Sequence, residues 1–275
     1  MELSILHAVQ SIANPVLDVL FEAITILGEQ TVVILALAAC YWLYDKKFGE
    51  EFAFTLLLSG LVNCVIKGIV KAPRPIGEPG VRTLRAHTAT GYSFPSGHSQ
   101  NAGTLYFFLA KKMGGKKWYI LSAATCLLIG VSRLYLGVHW PSDVVVGLTL
   151  GIAMVWICPI LWGKFDHEKL LCVLSLLLLP VTVLIGQENL WKNYGMLVGF
   201  WLGMVFEHRF VNYEVKTSWP RRILRFVLGM ALVLGVKEGL KPILPDHMIF
   251  DGVRYGMMAF MALGLYPWIF KKVKC

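Results

Sequence analysis

Residues 144–162 read VVVGLTLGIAMVWICPILW, nineteen consecutive positions without a charge. An α-helix needs about twenty such residues to cross the hydrocarbon core of a bilayer. Pro141, just ahead of the run, suits the first turn of a helix, where its missing N–H costs nothing. Outward from this segment, eight further apolar stretches centre near Ala38, Leu58, Phe107, Leu127, Leu178, Gly199, Gly229 and Phe260. The expected fold is therefore all-α, a polytopic transmembrane helix bundle of about nine spans. Composition points the same way: 56% of the chain is hydrophobic and 16% charged. The charges bunch between the apolar runs, which no soluble globular chain of this length would do.

The net charge of +9 matters less than where the cations sit. Lys46 and Lys47, then Lys111, Lys112, Lys116 and Lys117, then Lys164 and Lys169, then Arg209, Lys216, Arg221 and Arg222, and finally Lys271, Lys272 and Lys274 occupy short connections or the C-terminal end. Placing these segments inside predicts an N-terminus outside, a C-terminus in the cytoplasm, and outer positions for Arg74 to His98 and Leu134 to Asp143. The expected location is the cell membrane, with the bilayer itself as a partner. No basic stripe is interleaved with stacking aromatics, so no nucleic-acid partner is expected.

Before the first span, Ile5, Leu6, Val9 and Ile12, then Val16, Leu17, Leu20, Phe21 and Ile24, repeat at helical spacing around a break at Asn14-Pro15. Two short amphipathic helices on the outer interface fit this pattern. Met1 to Gly28 has no positively charged n-region or small-residue cleavage site, so a removed signal peptide is not expected. The resulting division is 1–28 as interfacial helices, 29–165 as a catalytic helical core and 166–275 as a four-span extension. Cys40, Cys64, Cys126, Cys158, Cys172 and Cys275 show no metal-ligand spacing and read as small core hydrophobes.

Three polar clusters sit at the edges of spans, where such residues are costly unless they have a function. The first is Lys67 with Arg74 and Pro75, spaced K-x6-R-P. The second is Pro95-Ser96-Gly97-His98. The third is Ser132-Arg133, then His139 after five residues and Asp143 four further on. Phosphoryl transfer requires cations around the equatorial oxygens, an in-line nucleophile and an acid for the leaving oxygen. Lys67, Arg74 and Arg133 supply charge, and Ser96 with the Gly97 N–H adds hydrogen bonds at a helix start. Asp143, one helical turn beyond His139, is placed to hold one imidazole nitrogen and leave the other free to attack. His139 is thus the expected nucleophile. His98, with no carboxylate near it in sequence, takes the proton-donor role by elimination.

These three motifs, in this order, resemble the signatures of the type 2 phosphatidic acid phosphatase superfamily, and all signature positions match between Lys67 and Asp143. The resemblance implies a phosphohistidine intermediate on His139, leaving-group protonation by His98, phosphate held by Lys67, Arg74, Ser96, Gly97 and Arg133, and no metal or other cofactor. It implies hydrolysis of a lipid phosphate or pyrophosphate on the outer membrane face, the phosphorylated lipid being the substrate partner. Nine spans with an external N-terminus is similar to the glucose-6-phosphatase and sphingosine-phosphate phosphatase branches. A phosphotransferase would need an acceptor alcohol to release the phosphate. A non-catalytic anion-binding transporter would need only the cations, not His98, His139 and Asp143 together.

Two secondary expectations follow. Arg82, Arg85, His87 and Tyr92, in the loop between the first two motifs, read as solvated. Lys237-x3-Lys241-x3-Pro245 repeats the spacing of Lys67-x3-Lys71-x3-Pro75 and suggests an echo of the first motif in the second half.

Overall fold

The computed structural model describes residues 1–273; Lys274 and Cys275, the last basic residue and last cysteine, lie outside the described residues. Twelve α-helices and no strands occur among the described residues. The first two are α1 (Glu2–Gln10) and α2 (Pro15–Ile26), bent by 118° where the sequence breaks. Asn14 makes that break a defined helix start. Its side-chain oxygen accepts from Val16 N and Leu17 N, both at 3.0 Å, and Pro15 takes the first helical position.

Then follow α3 (Gln30–Ala39), which runs into a π turn at Cys40–Tyr44, α4 (Lys46–Val70), α5 (Gly97–Met113), α6 (Lys116–Tyr135) and α7 (Pro141–Lys164). The remainder comprises α8 (His167–Ile185), α9 (Glu188–Phe206) with a π turn at Glu207–Val211, α10 (Trp219–Gly239), α11 (Met248–Phe260) with a π turn at Met261–Leu265, and α12 (Tyr266–Lys272).

All nine expected span centres fall inside helices, yet only five segments are long and apolar enough to cross a membrane by themselves: α4, α6, α7, α8 and Met248–Lys272. The count reaches six if the bent α1–α2 pair is one span. The shortfall has a sequence cause. Helix α5 opens on Gly97-His98-Ser99-Gln100-Asn101, α9 carries Glu188, Asn189, Lys192 and Asn193, and α10 carries Arg221, Arg222, Arg225, Lys237 and Glu238. The apolar stretch Gln30–Tyr44 is short.

The chain divides into two compact units, one of residues 1–34 and 58–158, the other of residues 35–57 and 159–275. In the first unit, α5 is tied to its neighbours by polar contacts, as expected where apolar burial gives little driving force between membrane helices. Gln100 donates to Ser59 O at 2.7 Å and accepts from Asn63 at 2.8 Å, and Thr104 pairs with Ser59 at 2.9 Å. Glycine permits the closest approach: a Cβ on Gly151 would stand 2.3 Å from Gln100 O, and one on Gly147 2.6 Å from Ser96 O. Near the ends of α6 and α7, buried Tyr135, Leu136 and Val138 pack with Val9, Leu17 and Phe21 of α1 and α2. The N-terminal helices are therefore a wall of this unit.

In the second unit, Tyr41 and Trp42 of the first π turn donate to the carbonyls of Leu263 and Ala262 in the third, both at 3.0 Å. A π turn leaves such carbonyls without their usual helical partner. Cys64, Cys126 and Cys158 are buried. The second Lys-x3-Lys-x3-Pro stretch does not rebuild the first. Lys71 leaves α4 in the left-handed region (φ 52°), whereas Lys241 continues in turns, donating its N–H to Glu238 O at 3.3 Å. Lys237 pairs with Glu238 at 3.1 Å, while Lys67 is turned onto loop carbonyls.

Candidate active site

The site is best followed from the start of α7. Because Pro141 begins that helix, Asp143 falls in its first turn and its carboxylate folds back to cap it, accepting from Trp140 N at 2.8 Å. The same oxygen lies 3.1 Å from His139 Nδ1 and accepts from Ser93 Oγ at 2.5 Å. An ionised carboxylate only accepts, so Nδ1 carries the proton. On the other side of the ring, Arg74 Nη1 stands 3.0 Å from His139 Nε2, and a guanidinium only donates. Two partners of opposite character therefore specify one tautomer, with the lone pair on Nε2. Burial and the nearby charges of Arg74, Arg133 and Lys67 push the His139 imidazolium pKa well below its ordinary value, so the ring is neutral at physiological pH.

Arg74 is held with little freedom. Nε donates to Gly91 O at 3.0 Å, Nη2 to Thr90 O at 2.9 Å and Tyr92 O at 3.3 Å, and Nη1 to Val138 O at 2.8 Å besides facing His139. Lys67 crosses to the same loop, donating to Tyr92 O at 2.7 Å and Ser93 O at 3.0 Å. The cations thus shape the segment that delivers Ser93 to Asp143.

The start of α5 meets the start of α7. Ser96 N donates to Asp143 O at 2.9 Å, and Ser96 Oγ caps α5 by accepting from Ser99 Oγ at 3.0 Å and Ser99 N at 3.4 Å. A Cβ on Gly97 would meet only Asn63 Oδ1, at 3.7 Å, so no protein neighbour demands glycine there. His98 follows in the first turn of α5, close enough to feel the charges of Arg133, Arg74 and Arg85. Its Nε2 is buried without a hydrogen-bond partner among the described residues. All eight residues expected from the sequence, Lys67, Arg74, Ser96, Gly97, His98, Arg133, His139 and Asp143, belong to the first unit.

Several supporting residues escaped sequence reading. Arg133, 1% exposed, is positioned by Thr25 of α2, whose Oγ1 accepts from Nη1 at 2.6 Å, while its Nε has no hydrogen-bond partner among the described residues. Gly28, just after α2, lies against His98: a Cβ there would stand 3.1 Å from His98 O. The expectation of solvated loop cations fails for Arg85, and Arg82, although exposed as expected, is held in an ion pair. Arg82 forms a two-pronged pair with Asp18 of α2, at 2.6 and 2.8 Å, and Arg85 pairs with Glu29 at 2.7 Å. The loop is pinned to the N-terminal helices because their carboxylates face it. His87 stays exposed and Tyr92 is half-buried.

Ser93 deserves a direct measurement, since it supplies one of three donors to the carboxylate behind His139. Ser93→Ala is expected to lower kcat about tenfold with little change in KM, the scale of one lost hydrogen bond to a charged group (~1.5–3 kcal/mol). An unchanged kcat would show that Trp140 N–H and His139 suffice to hold Asp143.

The chain is similar to known proteins. Residues 50–167 match the family model described as the PAP2 superfamily, and residues 191–275 match the transmembrane extension of PAP2 superfamily phosphatases. The phosphatidylglycerophosphatase B of Bacillus subtilis is 32% identical over 53% of this chain and 75% of its own length. Sphingosine-1-phosphate phosphatase 1 of Mus musculus is 24% identical over 94% of this chain and 73% of its own. Among solved structures, Aquifex aeolicus LpxE superposes with a TM-score of 0.51 at 26% identity, covering 57% of this chain and 93% of that one. With one matched segment that contains His98 and His139, a second that follows it, and apolar helices able to span a bilayer, the chain belongs to the PAP2 superfamily and is a multi-pass integral membrane phosphatase.

Proposed function

We propose that the protein hydrolyses a lipid phosphate or diphosphate on the outer membrane face, without a metal, through a phosphohistidine formed on His139. The observation that carries this reading is the His139 ring: one nitrogen is committed to Asp143 and the other keeps its lone pair among Lys67, Arg74 and Arg133.

In the first step Nε2 attacks phosphorus, an N–P bond forms and the ester P–O bond breaks. The proton on His98 passes to the leaving oxygen. Arg74 Nη1 lies where phosphorus must approach, so an entering phosphate takes that N–H onto an equatorial oxygen and frees the lone pair. Lys67, Arg133, Ser96 Oγ and the Gly97 N–H take the remaining charge. In the second step water attacks phosphorus, His98 accepts its proton, the N–P bond breaks and inorganic phosphate leaves. Asp143 stays ionised throughout, stabilising the charge that develops on the ring.

The names of the relatives, a phosphatidylglycerophosphatase and a sphingosine-1-phosphate phosphatase, favour a lipid whose chains remain in the bilayer. The outer location follows from the positive-inside distribution combined with nine spans, counting Gln30–Tyr44 and helices α5, α9 and α10 as crossings within the bundle. All five groups of basic connections then lie on the face opposite His98 and His139.

The test is phosphate release by the purified full chain from phosphatidic acid, phosphatidylglycerol phosphate, sphingoid phosphates, isoprenyl diphosphates and glucose 6-phosphate, with and without EDTA. Release from at least one lipid, undiminished in EDTA, is expected. Activity lost in EDTA and restored by a divalent cation would overturn the metal-free reading. A requirement for an added alcohol would favour phosphotransfer.

His98 has its own signature. His98→Asn is expected to slow alkyl phosphate hydrolysis about 10²–10⁴-fold, the usual contribution of a general acid. An aryl phosphate, whose leaving oxygen needs no proton, is expected to lose far less. Equal losses on both substrates would remove His98 from the proton-donor role.

A further inference from the structure

The second unit holds a basic basin that the phosphatase reaction does not use. A cavity of about 330 Å³ is lined by Lys216, Arg221, Arg225 and Lys271, with Glu214 as the one acidic residue among the described lining residues. Tyr213 and Phe270 form part of its floor. Four cations around one small space repel one another, and an anion among them offsets that repulsion.

The basin is built rather than incidental. Arg225 is 6% exposed, stacks 4.3 Å over Phe270 and donates to Glu214 O at 3.1 Å, which fixes the strand of chain carrying Lys216. Lys271 is anchored on Val211 O at the end of the second π turn, and Asn212 then turns the chain in the left-handed region (φ 44°). Helix α10 starts at the rim. Its first turn contains Arg221 and Arg222 and no acidic residue, and Ser218 gives it no side-chain cap. Cations at that end stand against the positive pole of the helix dipole, which an anion at the same place would offset.

Its depth relative to a bilayer is marked by Trp219, 70% exposed in that first turn, with Ile223, Leu224, Val227 and Leu228 exposed along the helix beyond it. Tryptophan in this position sits at headgroup level, with the apolar face of the helix continuing into the acyl region. The basin therefore opens where lipid phosphates lie, among the basic connections that face the inner leaflet in the positive-inside topology.

We infer that Lys216, Arg221, Arg225 and Lys271 form a second anion site, distinct from the His98–His139 centre, that takes a phosphate-bearing group such as the headgroup of an anionic phospholipid. The same chemistry would accept free phosphate, so the experiment separates the two.

Thermal unfolding of the full chain in neutral detergent is followed with added phosphatidylglycerol, phosphatidylcholine or inorganic phosphate, in wild type, K216E/R221E and the control K116E/K117E. The control makes the same charge change at the start of α6. Phosphatidylglycerol is expected to raise the wild-type midpoint and phosphatidylcholine not to. The phosphatidylglycerol concentration needed is expected to rise at least tenfold in K216E/R221E and to change little in the control. A phosphate response lost in K216E/R221E, with no added gain from phosphatidylglycerol, identifies a free-anion site and supports the basin all the same. Equal responses in wild type and K216E/R221E, or equal losses in both double variants, overturn it. If K216E/R221E fails to fold, Arg221→Gln serves, with a severalfold loss of phosphatidylglycerol response expected and an unaltered response counting against the site.

Discussion

Replacement of His139 by alanine is expected to reduce phosphate release by about 10⁴-fold or more, because a covalent nucleophile has no substitute in the site. The neighbours favour a clean experiment. Asp143 keeps two donors, Trp140 N–H and Ser93 Oγ–H, and Arg74 keeps its four carbonyl partners, so the fold around position 139 is retained. An unaltered thermal unfolding midpoint checks this. Acid-labile phosphate on the protein, trapped from radiolabelled substrate in the wild type, is expected to be missing in the variant. Substantial turnover by His139→Ala would end the phosphohistidine mechanism. The pH profile adds a second check. The His139 pKa is held below its ordinary value by burial and by Arg74, Arg133 and Lys67, so its neutral form persists as pH falls. Any acid limb due to this residue is expected well below pH 6.5, the ordinary histidine range.

Asp143→Asn is expected to cost about 10³-fold in kcat with nearly unchanged geometry, the upper end of what one lost charge-stabilising contact in a transition state costs. Trp140 N–H, Ser93 Oγ–H and His139 Nδ1 all meet one carboxylate oxygen, so the amide oxygen takes that place and the ring proton stays on Nδ1. What is lost is the negative charge that stabilises the charge developing on the ring as Nε2 attacks phosphorus. Nitrogen NMR of a selectively labelled ring reads the tautomer directly, and kcat on the best lipid substrate reads the cost of the lost charge. A variant with the proton still on Nδ1 and kcat unchanged would show that Asp143 only caps α7.

The pairing of His139 with Asp143 was legible because its logic is local. His139, Pro141 and Asp143 lie within five residues of chain, and a proline that starts a helix puts the fourth residue after His139 one turn away. Lys67 to Arg74 and Ser96 to His98 are likewise read off helix ends. The supporting cast was not legible, since Ser93 reaches Asp143 across 50 positions and Thr25 reaches Arg133 across 108. A neutral hydroxyl leaves no mark in hydropathy or charge that would announce such a partner. The ion pairs of Arg82 and Arg85 were hidden for the same reason: a loop cation shows no partner in the sequence until the fold brings Asp18 and Glu29 to it.

Hydropathy, too, had a definite reach. Uncharged runs such as 144–162 determined by themselves that the chain is helical and crosses a membrane, because an unpaired backbone cannot be left in hydrocarbon. The polar faces of α5, α9 and α10 weakened that signal, and for α5 the tertiary structure shows why they are tolerated: Gln100 and Thr104 are satisfied by Ser59 and Asn63 of α4. The residue types and spacings thus carried the chemistry, which depends on groups one helical turn apart. Tertiary structure alone decided which tautomer His139 holds, what anchors Arg74 and Arg133, and that the N-terminal helices brace the site, because each depends on contacts between segments far apart in sequence.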